Sequence, residues 1–295
     1  MRRVTTLLTP EVVARAERLT LATRRRLTAR GAGGHRSARS GRSLEFKDHR
    51  PYAKGDDVRQ LDWSLLARTR RPWLRVYHDE EEQHVVLLVD ASASMAFEDK
   101  LLRARQLAAA IAAMVLRAGD RVSAHAFGGG TPLRGTPAMR GRAGLSPLFT
   151  FLEGVEAASG QDTLERALTS LTPRLGGRGA VVMLSDFLTH GDLSRAANLV
   201  AGAGFEPIGV QILGPSELAP ELQDDVRLVD SETDTFLDVA ASDDVLAYYH
   251  AALRTQERRL ADLCAGRGGR FTRVDASVDP LATLFGPLRR GGIVR

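Results

Sequence analysis

The sequence predicts an α/β protein with a doubly wound, mainly parallel β-sheet, and three observations support this. Short apolar runs, such as residues 85–89 and 181–184, are typical of strands that are buried on both faces. From residue 84 onward these runs alternate with helical patterns, which is the order of βαβ units. The chain has 295 residues and is 43% hydrophobic, which is enough to build the core of one large domain.

The elements follow from this alternation. Strands are predicted at 84–90, 121–127, 179–186, 206–213 and 270–275. Helices are predicted near 98–118, 143–155, 162–173, 191–203, 242–265 and 279–289. Residues 226–239, "VRLVDSETDTFLDV", contain two alternating runs around a polar turn and predict a β-hairpin insertion.

The first 83 residues differ from this pattern. Thr9, Pro10 and Glu11 form an N-terminal capping sequence that predicts a helix running to about Arg30. Residues 31–43, "GAGGHRSARSGRS", have the composition of a flexible linker. We therefore expect an N-terminal helical and irregular extension with a basic linker (1–40), a polar segment docked on the main domain (41–83), and the main α/β domain (84–290). Removal of residues 1–40 is expected to cost little stability.

Composition limits the class of protein. Residues 1–75 carry 19 Lys and Arg against 7 Asp and Glu, but only three of the 41 basic residues in the chain are lysines. This arginine excess runs through the whole chain and no nucleic-acid-binding motif accompanies it, so we expect no nucleic-acid partner. No apolar run reaches the roughly 18–20 residues of a transmembrane helix, and we expect a soluble, cytoplasmic protein. The single cysteine, Cys264, excludes an internal disulfide and a cysteine-based zinc site.

Oxygen-bearing side chains follow two of the predicted buried strands. Asp90, Ser92 and Ser94 end the first, Asp186 ends another, and Thr163 stands at the start of a predicted helix. Because ligands bind beyond the carboxyl ends of parallel strands, these five residues are expected to meet at one edge of the sheet. Oxygen ligands with few charges suit Mg²⁺, with Mn²⁺ or Ca²⁺ as possible substitutes. Taken singly, each residue also has an ordinary structural interpretation as a loop or helix cap.

The motif "DASASM" resembles the Asp-x-Ser-x-Ser signature of von Willebrand factor A domains, with "GQDT" and "LSDF" as the second and third elements. The resemblance implies a Rossmann-like sheet carrying a metal-ion-dependent adhesion site. It also implies that Ser92 and Ser94 bind the metal directly, whereas Asp90, Thr163 and Asp186 do so directly or through water. A carboxylate of a partner protein would fill the open position.

Residues 41–69, "GRSLEFKDHRPYAKGDDVRQLDWSLLART", resemble the signature of the domain-of-unknown-function 58 family. The residues that match are Glu45, Phe46, Arg50, Tyr52, Gly55, Asp56, Asp57, Arg59, Asp62 and Trp63. Members of this family are often encoded beside MoxR-type AAA+ ATPases and are thought to act with them, so the resemblance implies such an ATPase as the partner.

The signature segment also has a physical interpretation. Gly55 can form a turn with positive φ, and Asp56 or Asp57 can cap a following helix. We expect Arg50 and Arg59 to pair with Asp57 and Asp62 beneath Trp63 and Tyr52, as a scaffold whose loss would destabilise the protein. The alternative is that the segment is a recognition surface for the ATPase.

Together these observations predict a non-enzymatic, metal-dependent protein-interaction module that acts as an adaptor or chaperone-like partner of a MoxR-type AAA+ ATPase. The alternative is a metal-dependent hydrolase that uses the same Asp, Ser and Thr site, with His190 as general base. The sequence contains no P-loop, nucleophile elbow or HExxH motif, and the missing base and nucleophile constellations favour the interaction module.

Overall fold

The computed structural model describes residues 7–23, 27–29, 45–80, 82–128, 133–160, 162–188, 191–220, 226–229, 236–239 and 243–295. The chain divides into two units. The larger unit contains the chain up to Arg24 together with Glu82–Arg295, and the smaller unit is Arg25–Glu81. The expected division into residues 1–40, 41–83 and 84–290 stays a prediction.

The strands are, in chain order, β1 (Leu27–Ala29), β2 (Glu45–Pro51), β3 (Trp73–Glu80), β4 (His84–Asp90), β5 (Arg121–Phe127), β6 (Arg134–Gly135), β7 (Gly179–Ser185), β8 (Phe205–Leu213), β9 (Val226–Val229), β10 (Phe236–Val239) and β11 (Arg270–Asp275). The α-helices are α1 (Pro10–Ala16), α2 (Trp63–Thr69), α3 (Lys100–Arg117), α4 (Leu145–Glu153), α5 (Leu164–Leu171), α6 (Leu193–Gly202), α7 (Pro215–Leu218), α8 (Asp243–Ala265) and α9 (Pro280–Thr283). A 3₁₀ segment, Ala93–Asp99, precedes α3, and a π-helical turn, Leu284–Leu288, follows α9.

The larger unit is built on a six-stranded sheet in the order β11-β8-β7-β4-β5-β6. All neighbouring strands run parallel except β6, which pairs with β5 in the antiparallel direction. Every residue of the central strand β4 is buried. Because β4 is covered on both faces, it can be apolar throughout, as its sequence predicted.

Helices cover both faces of this sheet. On one face α1, α3 and α4 pack against Val85, Leu87 and Val89 of β4. On the other face α5, α6 and α8 pack against Val86 and Leu88. The alternation of side-chain direction along a strand therefore divides the core into two layers. The predicted doubly wound α/β architecture is confirmed.

The predicted strands agree with the structure to within one residue at each end. The helices predicted between residues 98 and 265 are present, with ends that lie no more than two residues inside the predicted ones. The last predicted helix, 279–289, is divided into α9 and the π-helical turn, which contains Pro287. The expected hairpin is confirmed, since β9 and β10 pair in the antiparallel direction.

The N-terminal prediction was wrong in two respects. Helix α1 ends at Ala16 rather than near Arg30, because the chain then turns to pair with the C-terminus: Leu21 forms an antiparallel bridge with Val294. Leu7 and Leu19 are buried in the same core as α3, so the residues around α1 contribute to the core rather than forming a detachable tail. The expected linker at 31–43 lies outside the described residues.

The smaller unit contains an antiparallel sheet in the order β1-β3-β2. Helix α2 begins immediately after Asp62, which caps it by accepting hydrogen bonds from the backbone N–H groups of Ser64 and Leu65. The backbone N–H of Asp62 in turn donates to the carbonyl of Trp73. These contacts join α2 to the edge of β3.

Candidate metal site

The carboxylate of Asp90 lies at the carboxyl end of β4 and is only 2% exposed. Its Oδ1 accepts a hydrogen bond from the backbone N–H of Ser92 at 2.9 Å, and its Oδ2 accepts one from the hydroxyl of Ser185 at 2.5 Å. Ser185 ends the neighbouring strand β7. Two adjacent parallel strands therefore deliver their polar ends to one point, as expected from the topology.

The two serines of the Asp90 loop lie together. The hydroxyl oxygens of Ser92 and Ser94 are 3.1 Å apart. Adjacent ligands of an octahedral Mg²⁺, at about 2.0–2.1 Å from the ion, are themselves separated by about 2.9 Å. The spacing and the oxygen chemistry of this pair therefore fit a Mg²⁺ site that also uses Asp90.

Asp186 lies within electrostatic reach of Asp90 but is engaged by other groups. Its Oδ2 accepts a hydrogen bond from Lys100 Nζ at 2.9 Å, and its Oδ1 accepts one from the backbone N–H of Leu188 at 3.0 Å. Lys100 Nζ also donates to Glu217 Oε1 at 2.6 Å. Asp186 is therefore shared between the site and a buried cation of the protein.

The cluster carries a net negative charge when Asp90 is ionised. Burial, together with the charge of Asp186, raises the pKa of Asp90 to about 6, although hydrogen bonds from Ser185 and Ser92 act in the opposite direction. When Asp90 is ionised, Asp90, Asp186 and Glu217 carry three negative charges against the one positive charge of Lys100. A divalent cation would balance this difference.

Thr163 is less closely joined to the cluster. Its hydroxyl accepts a hydrogen bond from the backbone N–H of Arg166 and so caps α5. A side chain at Gly191 would contact Thr163, so Thr163 lies against the loop that follows Asp186. No described hydrogen bond joins Thr163 to Asp90, Ser92, Ser94 or Asp186, and its assignment as a metal ligand stays a prediction.

The shape of the Asp90 loop depends on close backbone contacts. Gly128 has a φ of +108°, and a Cβ there would lie 2.5 Å from the backbone nitrogen of Ser92. Glu98 and Asp99, at the end of the same loop, and Phe187, beside Asp186, also have positive φ. Such conformations are unfavourable for residues other than glycine and tend to occur at functional sites.

Four residues of this cluster were not among the predicted site residues. Ser185 immediately precedes Asp186 in "LSDF", so its proximity could have been inferred from the strand end. Gly128 follows β5 in the same way. Lys100 gave no signal, because a charged residue in a helical pattern usually indicates a solvated face. Glu217 gave none because no element was predicted at α7.

The described residues limit what else could bind a metal. Among them, no group of three or more His, Cys, Asp or Glu side chains could hold an ion. A cation at this site would therefore depend on the serine hydroxyls as well as on Asp90. His190, the general base of the hydrolase alternative, lies outside the described residues.

The signature segment forms other charge pairs than those expected. Arg50 pairs with Asp56 at 2.7 Å, and His49 pairs with Asp62 at 2.8 Å. Asp57 accepts a hydrogen bond from the backbone N–H of Arg59 and caps a short 3₁₀ turn. The predicted pairing of Arg50 and Arg59 with Asp57 and Asp62 was therefore wrong.

Other members of the signature occupy varied positions. Gly55 has the expected positive φ, at +104°. Tyr52 is partly buried, whereas Trp63 is 67% exposed at the start of α2 and therefore covers no charge lattice. Glu45 and Phe46 lie in β2, with side chains outside the described part of the structure.

Within the ranges that the structure describes, no helix combines the length and the apolar character that a membrane span requires.

Comparison with known proteins identifies relatives. A model of the family described as "Protein of unknown function DUF58" matches residues 48–259. The chain is 32% identical over 232 residues to "Uncharacterized protein Rv1480" of Mycobacterium tuberculosis and to "Uncharacterized protein Mb1516" of Mycobacterium bovis; the match covers 76% of this chain and 72% of each relative.

Two solved structures are also similar. One is "conserved hypothetical protein BatB" from Bacteroides thetaiotaomicron, with a TM-score of 0.42, 15% identity, and coverage of 65% of this chain and 90% of that one. The other is "von Willebrand factor type A" from Catenulispora acidiphila, with a TM-score of 0.41, 14% identity, and coverage of 70% and 41%.

Proposed function

We propose that this chain, which belongs to the family described as "Protein of unknown function DUF58", is a metal-dependent protein-interaction module. We propose further that it has no enzymatic activity of its own. A divalent cation, Mg²⁺ in the first place, would be held at the carboxyl end of the sheet by Asp90, Ser92 and Ser94, with Asp186 and Thr163 as the further ligands. Mn²⁺ and Ca²⁺ are the possible substitutes.

The observation that carries this proposal is the environment of Asp90. A carboxylate that is 2% exposed lies beside a second carboxylate, Asp186, and next to two serine hydroxyls that are 3.1 Å apart. Such a buried like-charge arrangement is unfavourable unless a cation or a proton relieves it. The adjacent hydroxyls favour a metal ion, because they add neutral oxygen ligands.

The partner follows from the family resemblance. A cation with an open coordination position would bind a carboxylate of a partner protein, and the resemblance points to a MoxR-type AAA+ ATPase. We propose that the chain acts with such an ATPase in the cytoplasm, as an adaptor or chaperone-like component.

The smaller unit offers a second contact surface. Trp63 is 67% exposed and Val58 is 55% exposed, with the side chain of Arg59 also exposed between them in sequence. Tryptophan and arginine are enriched among the residues that dominate protein interfaces. These exposures favour the recognition-surface interpretation of the signature segment over the scaffold interpretation.

The test measures binding between the purified protein and a MoxR-type AAA+ ATPase of the same organism. The ATPase is used free of nucleotide, so that Mg²⁺ is not required for nucleotide binding. We expect a complex in Mg²⁺ that dissociates in EDTA, that Asp90→Asn fails to form, and that Trp63→Ala weakens without changing Mg²⁺ affinity. A complex that is insensitive to EDTA and to Asp90→Asn would overturn the metal-dependent mechanism.

The same preparation tests the hydrolase alternative. We expect no turnover of p-nitrophenyl phosphate or of unstructured peptides in Mg²⁺ or Mn²⁺. Metal-dependent turnover that is lost in both Asp90→Asn and His190→Ala would favour the hydrolase instead.

A further inference from the structure

Lys100 is a buried cation that contacts Asp186 of the candidate metal site. It is the first residue of α3, and its side chain is 1% exposed. Its ammonium group contacts Asp186 at 2.9 Å and Glu217 at 2.6 Å, whose side chains are 2% and 18% exposed. Lys100 begins α3, Asp186 directly follows β7, and Glu217 lies in α7. The three residues therefore join three elements at the carboxyl end of the sheet.

The ammonium group is held in the charged state. Burial alone would lower the pKa of Lys100, but Asp186 and Glu217 together hold this pKa above its usual value. Both carboxylates thus have a positive partner that does not depend on any bound ion.

Glu217 is itself fixed in position. Its Oε2 accepts a hydrogen bond from the backbone N–H of Gly214, and its carbonyl accepts one from the hydroxyl of Tyr249 on α8. The loop after β8 is also tied to the Asp90 loop, because the carboxylate of Glu98 accepts a hydrogen bond from the backbone N–H of Ser216. Because Glu217 is held in place, Lys100 cannot easily leave Asp186 by moving together with Glu217.

We propose that Lys100 is an internal competitor of the metal ion: it neutralises Asp186 when no divalent cation is bound and thereby lowers the affinity of the site for that cation. This inference rests on the proposed metal-dependent function and concerns the regulation of the same site. Lys100 is a positioning residue rather than a ligand. Glu217 moderates its effect, since it shares the ammonium group with Asp186.

The proposal predicts opposite effects of two substitutions. Lys100→Met keeps a side chain of similar length but removes the charge. Mg²⁺ should then bind at least tenfold more tightly, while the metal-free protein becomes less stable because Asp186 and Glu217 lose their buried partner. Glu217→Gln keeps hydrogen-bonding groups but removes a negative charge, so Lys100 interacts with Asp186 alone. Mg²⁺ should then bind severalfold more weakly.

The experiment combines calorimetric titration with Mg²⁺ and thermal unfolding in EDTA and in excess Mg²⁺. Lys54→Met is the matched control, because Lys54 is an exposed lysine of the smaller unit. We expect the control to match the wild type in both measurements. A purely structural role would lower the stability of both test variants without moving Mg²⁺ affinity in opposite directions.

Several results would overturn the proposal. Unchanged or weaker Mg²⁺ binding in Lys100→Met would do so, and so would tighter binding in Glu217→Gln. If Lys100→Met does not fold without metal, Glu217→Gln decides the question alone. Should the wild type bind no Mg²⁺, the proposed function fails; Mg²⁺ binding gained in Lys100→Met would still support competition by Lys100, and absence of binding in both would reject both ideas.

Discussion

The hydroxyl of Ser185 donates a hydrogen bond of 2.5 Å to Oδ2 of Asp90. The same hydroxyl oxygen accepts a hydrogen bond from the backbone N–H of Phe187 at 2.9 Å, so its own proton is directed at Asp90. This contact joins the carboxyl ends of two neighbouring strands, and it opposes the effect of burial, which raises the pKa of the Asp90 carboxylate. Ser185 thus helps to keep Asp90 available as an anion.

Asp90→Asn should abolish Mg²⁺ and Mn²⁺ binding in calorimetric titrations. In EDTA its melting temperature should equal or exceed that of the wild type, because the substitution removes a buried charge that faces Asp186. The control is Asp99→Asn on the same loop, where the acid is exposed and has a positive φ that asparagine tolerates. Metal affinity that persists in Asp90→Asn would exclude Asp90 as the central ligand.

Ser185→Ala should shift the pH dependence of Mg²⁺ binding towards higher pH. Without this hydrogen bond the pKa of Asp90 rises further above its value of about 6, so that protons compete with Mg²⁺ closer to neutral pH. Apparent dissociation constants measured from pH 5.5 to 8 would show the shift.

Ser92→Ala should shift the pH dependence in the same direction as Ser185→Ala, because the Ser92 hydroxyl also forms a hydrogen bond that lowers the pKa of Asp90, whereas no such shift is expected of Ser94→Ala. Ser92→Ala and Ser94→Ala each remove a neutral ligand that water can replace, so each should weaken binding less than Asp90→Asn. If Ser185→Ala left the pH dependence unchanged, Asp90 would not be the group that limits binding.

Gly128→Ala should disrupt the Asp90 loop. An added Cβ would lie 2.5 Å from the backbone nitrogen of Ser92, and the φ of +108° is unfavourable for alanine. We expect a lower melting temperature and the loss of Mg²⁺ binding. Gly141→Ala is the control, since it also has positive φ (+61°) but meets no atom within 4 Å; it should lose some stability and keep its metal affinity. Equal effects of the two substitutions on Mg²⁺ affinity would contradict the steric argument.

Asp62→Ala should destabilise the smaller unit, whereas Arg59→Ala should not. Asp62 is 7% exposed, caps α2 with two hydrogen bonds and contacts His49, so its loss should cost about 1–3 kcal/mol. Because the side chain of Arg59 is exposed, Arg59→Ala should change the free energy of unfolding by no more than about 0.5 kcal/mol. Urea unfolding of both variants checks this. A large loss in Arg59→Ala would restore the scaffold role expected from the sequence.

The buried histidine His84 should make stability fall at acidic pH. Burial, with smaller effects of Arg121 and His125, lowers the pKa of His84 from 6.5 to about 4 in the folded protein. As the pH falls, the unfolded chain therefore binds a proton at His84 before the folded protein does. The stability that neutral His84 contributes is complete above pH 6.5 and is lost as the pH falls towards 4. For a side chain that is 6% exposed, the effect is on the order of 3 kcal/mol.

His84→Gln supplies the comparison for this pH dependence. The variant should be less stable at pH 7, but it should lose less stability between pH 6.5 and 4 than the wild type. Asp90 acts in the opposite direction over part of this range, since its pKa is raised, but it is present in both proteins and cancels in the difference. Parallel stability curves for the two proteins would show that His84 does not titrate as described.

Some of this protein could be predicted from the sequence because the signals are local. The apolar run of β4 indicates a strand buried on both faces, and Thr163 precedes a helix that its own hydroxyl caps. The spacing of Asp90, Ser92 and Ser94 indicates a cluster, because a single residue separates each of them from the next in one loop. In each case the interacting groups lie within a few residues of one another, so the sequence alone constrains their geometry.

Other features were decided only by the tertiary structure. Ser185 meets Asp90 across 95 residues, and Lys100 meets Asp186 across 86 and Glu217 across 117. The sequence determined that polar strand ends would meet at one edge of the sheet, but not that a lysine would lie beneath them. The physical reason is that a buried charge is stabilised by whichever opposite charge the folded backbone brings within contact, and sequence separation does not restrict that choice.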